Sequence, residues 1–139
     1  MTTGDDATLT RWLDKLEIRE LIERSVRHVD DQDAVAFADL FEDDGVLQLA
    51  GTVIAGRDAL RSMFGGGAPP TKWTEPGELL KQPGMTHLTT NPVIDVAGDE
   101  ATAETDMITF RRDQEGRTKI TLTTGLPDGL AGFARCAAR

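Results

Sequence analysis

The stretch Met85-Thr-His-Leu-Thr-Thr-Asn-Pro-Val-Ile-Asp-Val96 constrains this chain more than any other. It reads as one long β-strand, and the residues after it repeat the theme. Ala97-Gly-Asp-Glu100 is a hairpin turn, and Ala101–Arg112 returns as a strand rich in Thr, Ile and Phe. Asp113-Gln-Glu-Gly116 turns again, and Thr118–Thr124 starts a further strand. A strand alternates its side chains between two faces. His87, Thr89, Asn91 and Val93 are therefore expected on one face, with Leu88, Thr90 and Ile94 on the other. A histidine with a hydroxyl and an amide beside it reads as the floor of a polar pocket.

Upstream the hydrophobic period changes. From about Thr8 to Asp30, Leu9, Trp12, Leu13, Leu16, Ile18, Leu21, Ile22, Val26 and Val29 fall at helical spacing. Residues 1–7 are polar and are expected to be loose. Asp14-Lys-Leu-Glu17 resembles a capping box, a point where the run can restart. Ile22, Val26 and Asp30 follow at i, i+4 and i+8, so Asp30 continues the inward face as the helix ends. The acids of Asp30-Asp-Gln-Asp33 have a plainer use as well, since Asp is common in turns and caps helices. His28 points roughly 200° away from Asp30 and reads as a helix-end or interface residue.

A second helix is expected over Ala34–Phe41, a strand over Val46–Ala50 paired with Thr52–Ala55, and a third helix over Gly56–Phe64. Residues 65–84 are rich in Gly and Pro, with Trp73, Leu79 and Leu80 among them. Such a loop suits a lid or binding loop, and suits apolar filler over the core edge equally. Helices first and a run of antiparallel strands afterwards means α+β. Neither an internal repeat nor a linker divides the 139 residues, so one domain is expected, with its core at about residues 8–124. Residues 125–139 show neither strand alternation nor a helical stripe. They read as an atypical tail: a truncated or frame-shifted ending, or a segment that wraps a neighbouring subunit.

Charge and composition narrow the partners. A net charge of −9 argues against nucleic acid and against an anionic membrane surface, both of which need a basic face. Two histidines and one cysteine, without ligand spacing, make a zinc site unexpected, and no other cofactor is implied. Cys136 has no partner for a disulfide, the start carries no signal peptide, and no apolar run suits a membrane span, so a cytoplasmic protein is expected.

Five pieces, in this order and spacing, resemble the SnoaL-like branch of the nuclear-transport-factor-2-like superfamily. They are Leu16-Glu-Ile-Arg-Glu-Leu-Ile22, Val29-Asp-Asp-Gln-Asp33, Phe37-Ala-Asp-Leu-Phe-Glu-Asp-Asp-Gly-Val46, Gly56-Arg-Asp-Ala-Leu60 and His87-Leu-Thr-Thr-Asn91. The resemblance implies a cone-shaped α+β barrel, a curved mixed or antiparallel sheet wrapped on N-terminal helices around an apolar pocket. It also implies a homo-oligomer, dimer or trimer. Within the superfamily the chain resembles the scytalone dehydratase and dehydrochlorinase-like group, whose enzymes use an Asp–His dyad. Asp30 and His87 fall on those positions. The implied chemistry is proton abstraction by His87, then loss of a β-leaving group or isomerisation of a small apolar, aromatic or polycyclic molecule. Asp30 would orient the imidazole, and Thr89, Asn91 and Asp106 would hold the substrate. Imidazole titrates near pH 6.5 and suits general-base work near neutrality.

The chain departs from that group in three ways. It has no tyrosine to polarise a substrate, no second histidine on the strand after His87, and no closing strand with a Gly-Trp-Arg/Lys-Phe-like motif. These departures keep two other readings open: a ligand-binding or assembly module without chemistry, and a polyketide-type cyclase.

Overall fold

The computed structural model describes residues 3–49, 52–62, 84–123 and 132–133. Helix α1 (Thr3–Asp30) carries Asp5 and Asp6 in its first turn and Arg27 and His28 in its last. Both charge sets complement the helix macrodipole. The acids favour helix within the stretch expected to be loose, where Thr3–Ala7 are helical. The helix also passes Asp14 without a break, so Asp14 neither caps nor restarts it. The apolar stripe packs along only half its length. Ile18, Leu21, Ile22, Val26 and Val29 are half-buried, whereas Leu9, Trp12, Leu13 and Leu16 are 51–62% exposed.

A tight turn follows α1. The N–H groups of Asp31, Gln32 and Asp33 donate to the carbonyls of Arg27, Val29 and His28. Gln32 takes the left-handed conformation, φ 55°. Asp33 then caps α2 (Ala34–Ala38), its Oδ1 accepting from the Ala36 N–H at 3.0 Å. The helix stops short of Phe41, but Phe41 still reaches the core. That core is Phe37, Ala38, Phe41, Leu47 and Leu60, with Val29, Leu40 and Ile54 against it. The rings of Phe37 and Phe41 lie 5.1 Å apart, tilted by 58°. Gly45 is fixed by this packing, because a Cβ there would sit 2.9 Å from the Cβ of Phe41.

Strand β1 (Val46–Leu49) pairs with β2 (Thr52–Ala55). Helix α3 (Arg57–Arg61) is anchored at its first residue. Arg57 donates from Nε (3.0 Å) and from Nη2 to the carbonyl of Phe41, and its Nη1 meets Asp43 Oδ1 at 2.9 Å. The loop expected over 65–84, with Trp73, Leu79 and Leu80, lies outside the described residues up to Gly84, which opens β3.

Strands β3 (Gly84–Ala97), β4 (Glu100–Arg112) and β5 (Thr118–Thr123) form an antiparallel meander, and α1 lies along β3. The atypical tail contributes β6 (Gly132–Phe133), which pairs antiparallel with β1; its other residues lie outside the described ones. The described strands thus make two three-stranded sheets, β2-β1-β6 and β3-β4-β5, antiparallel throughout. The architecture is α+β.

One irregularity changes the expected faces. The β3–β4 register shifts between Thr90 and Val93, and Asn91 has φ 53°. This β-bulge adds one residue to β3 and reverses the alternation beyond it. Ile94 is buried at 8% exposure, while Val93 stands 61% exposed. Val93 therefore does not share the face of His87. Bulge formation follows from Asn91-Pro92: asparagine tolerates the left-handed region, and proline has no N–H for the ladder. On the far side of the sheet, Leu88, Ile108 and Leu122 lie abreast, beside the pair Phe110 and Ile120. Leu88, Ile120 and Leu122 are 51–63% exposed there.

Candidate active site

Strand β3 lies at the edge of its sheet, so alternate N–H groups on its free side need acceptors from elsewhere. Asp30, the last residue of α1, supplies one. Its Oδ2 accepts the backbone N–H of His87 at 3.0 Å, and its Oδ1 meets His87 Nδ1 at 2.6 Å. Both carboxylate oxygens thus grip one residue, 57 positions away in the chain. The two side chains are only 9% and 10% exposed. A bond to backbone and ring together fixes the imidazole more firmly than a single contact.

The electrostatics follow from this placement. A helix C-terminus disfavours an anion and favours a cation. Two hydrogen bonds to the carboxylate offset the first effect. An ionised carboxylate only accepts, so with Asp30 in that form the proton of the 2.6 Å contact belongs to Nδ1. Once Nε2 takes a proton, Asp30 and the helix terminus both stabilise the imidazolium.

The other expected site residues divide. Thr89 lies two residues beyond His87 on the same face. It lines a shallow recess against α1 with Arg19, Ile22, Glu23, Pro92 and Thr105. Asn91 and Asp106 do not join His87. Asp106 is paired with Thr90, on the opposite face, and Asn91 Nδ2 donates to Asp106 Oδ2 at 3.0 Å. Their polar groups brace the bulge, with Thr105 Oγ1 donating to the Thr90 carbonyl at 2.8 Å. Placing them around substrate assumed an unbroken strand, and the bulge removes that premise. The Asn-Pro pair was the signal that could have shown it. Among the described residues, no three His, Cys, Asp or Glu side chains converge as a metal set, and no helix is long and apolar enough to cross a membrane.

Set against known families, residues 10–128 match the SnoaL-like domain. The chain belongs to the SnoaL-like family. Its solved neighbours share the nuclear-transport-factor-2-like architecture. An NTF2-like protein with a cystatin-like fold from Novosphingobium aromaticivorans is 26% identical, with a TM-score of 0.66 over 93% of this chain and 84% of that one. A Mycobacterium tuberculosis protein of unknown function is 28% identical, with a TM-score of 0.62 over 86% of this chain. The SnoaL-like chain spans 61% of that protein's length. The β subunit of a putative aromatic-ring-hydroxylating dioxygenase from N. aromaticivorans is 18% identical, with a TM-score of 0.61 over 80% of this chain and 74% of that one, a likeness of fold alone. Comparison with curated proteins finds no match.

Proposed function

We propose that this SnoaL-like protein is a cofactor-independent lyase or isomerase in which His87 is the general base and Asp30 its orienting carboxylate. The observation that carries this reading is the two-point grip of Asp30 on His87, on the ring at 2.6 Å and on the backbone at 3.0 Å. The backbone bond has no structural need for an imidazole, since any residue but proline at position 87 would offer the same N–H. With Asp30 ionised, the ring contact puts the proton on Nδ1, and among the described residues no hydrogen bond reaches Nε2. Nε2 removes a proton from carbon, and the electron pair left behind forms a double bond. In an elimination, the β-leaving group departs and takes up the proton from the imidazolium; in an isomerisation, the proton returns to another carbon. General-base action contributes about 10²–10⁴-fold. The resemblance to dehydratases and dehydrochlorinases supports the elimination branch, with Thr89 beside the substrate.

The test is exchange of α-protons for deuterium in a carbonyl probe, 2-tetralone, followed by NMR. Wild type should exceed the buffer rate, and His87→Ala should fall to it while keeping its circular dichroism. Equal exchange by the two proteins would reject the mechanism.

The apolar sheet face bearing Leu88, Ile120 and Leu122 supports a second element of the reading, self-association into a homo-oligomer. Apolar patches of this kind commonly mark protein contacts. One neighbour of the same fold is a subunit of a larger enzyme. Sedimentation of wild type against Leu122→Lys checks this: a monomeric wild type would reject it.

A further inference from the structure

Helix α1 changes its apolar face midway. At about 100° per residue, Leu9, Trp12, Leu13 and Leu16 cluster around one direction, within an arc of about 100°. Ile18, Leu21, Ile22, Val26 and Val29 are the half-buried side chains of the part that docks. They cluster about 150° round the helix from the first group. The first stripe therefore faces away from the surface on which α1 rests, and tilting the helix toward β3 would not cover it. Every residue from Gly4 to Leu13 is exposed, and Leu9, Trp12, Leu13 and Leu16 are exposed by 53%, 62%, 51% and 61%. A helical segment of so few turns, with nothing packed on it, is marginal in water.

The spacing of the stripe points to what covers it. Its steps are three, one and three residues, the same read from either end. Turned end for end about the midpoint between Trp12 and Leu13, the stripe falls on itself. Leu9 comes opposite Leu16 of a second copy, and Trp12 comes beside Leu13. A twofold dimer requires such a self-complementary patch. Charge then fixes the direction. In a parallel pair, the first-turn acids Asp5 and Asp6 would meet the same acids of the other copy, and the two macrodipoles would align. In an antiparallel pair the dipoles oppose, and those acids come opposite Arg19 and Arg24. Each arginine is held by an acid of its own helix, Arg19 by Glu23 at 3.3 Å and Arg24 by Glu20 at 2.5 Å. The acids thus meet a neutral quartet that includes two cations.

We propose that the N-terminal half of α1 is a self-association surface, on which a second copy of this chain lays its own α1 antiparallel through Leu9, Trp12, Leu13 and Leu16. This contact is independent of the sheet face bearing Leu88, Ile120 and Leu122. With both in use, dimers pair into a tetramer, the usual product of two different twofold contacts. Area sets the strength. Four half-exposed large side chains form an apolar patch of about 300–600 Å² per copy. The contact then lies near the lower limit for a stable dimer, about 1,200 Å² in total, and a dissociation constant of about 1–100 μM follows.

The experiment is sedimentation of the full chain over a concentration series, made in the Leu122→Lys protein so that the sheet face does not mask the helix. That protein should pass from monomer to dimer with a midpoint of about 1–100 μM. Adding Leu13→Lys, at a solvent-exposed position, should weaken dimerisation at least 10-fold and leave the far-ultraviolet circular dichroism of the monomer in place. Direction is read from a spin label at Gly4→Cys in a Cys136→Ser background; a Cβ at Gly4 meets nothing within 4 Å. Two labels should stand about 25 Å apart in an antiparallel pair and about 10 Å apart in a parallel one. A dimer that Leu13→Lys does not weaken, or the shorter label distance, overturns the assignment. So does a Leu122→Lys protein that stays monomeric at about 200 μM. In that case amide exchange at residues 9–16 identifies the true occupant: slow exchange assigns the stripe to another segment of the same chain, and fast exchange assigns it to a different protein.

Discussion

Replacing Asp30 with asparagine exchanges one carboxylate oxygen at the centre of the site for an NH₂, and the consequence can be worked through. Asp30 accepts twice, from the His87 backbone N–H at 3.0 Å and from the ring at 2.6 Å. Asparagine has one oxygen and one NH₂. The backbone N–H can only donate, so the amide oxygen must stay with it. The NH₂ then faces Nδ1 and demands an acceptor there. The neutral ring responds by moving its proton to Nε2, which removes the base. The stability change is small by comparison. A hydrogen bond to a charged group is worth about 1.5–3 kcal/mol and a neutral one about 0.5–1.5 kcal/mol, so with two bonds made neutral the variant loses about 2–3 kcal/mol. Activity should fall far more, by up to about 10⁴-fold, the cost of a wrong tautomer in a comparable His–carboxylate pair. Imidazole ¹⁵N spectra report which nitrogen carries the proton, and exchange of 2-tetralone reports the rate. An Asp30→Asn protein that keeps its proton on Nδ1, or keeps wild-type exchange, would refute the reasoning.

Other substitutions test the frame around the site. Leu60 is fully buried among Phe37, Ala38, Phe41 and Leu47, so Leu60→Ala should cost about 2–5 kcal/mol in urea unfolding. At the bulge, Asn91 combines φ 53° with the bond to Asp106; Asn91→Ala should destabilise by about 1–2 kcal/mol, and Asn91→Gly by less. The side-chain and backbone bonds from Arg117 hold the Asp113 carboxyl below its ordinary value of 3.8. A depressed carboxylate stabilises the turn above its unfolded pKa, and that contribution is lost as pH falls through the folded pKa. Amide exchange at Glu115 and Arg117 should therefore quicken with acidification below about pH 4 relative to the intrinsic rate, and Asp113→Asn should remove that dependence.

Much of this architecture is decided by neighbours in sequence. The helical stripe from Leu9 to Val29, the Asp33 cap and the turns at Gly98 and Gly116 each depend on residues within a few positions of one another. Their periods and turn chemistry are legible without coordinates, and they specify the α+β order of elements. Strand β2 was readable to its ends for the same reason. The helix stripe alone did not reveal that Leu9, Trp12, Leu13 and Leu16 would stay exposed, because periodicity marks a face and not what covers it.

The bulge sits between the two kinds of information. Asn-Pro signals it, but Thr89-Thr-Asn91 is polar on both faces, so hydrophobic alternation could not fix the phase of the strand. Register with β4 did so, turning Asp106 away from His87 and Ile94 toward the core. Which donor Asp30 would meet was likewise a matter of docking. A carboxylate at a helix end and a histidine in a strand were plain in the sequence, yet nothing local joins residues 57 apart. Packing α1 along the open edge of β3 does, because an edge N–H without a strand partner must find an acceptor, and the last side chain of the helix is the one within reach.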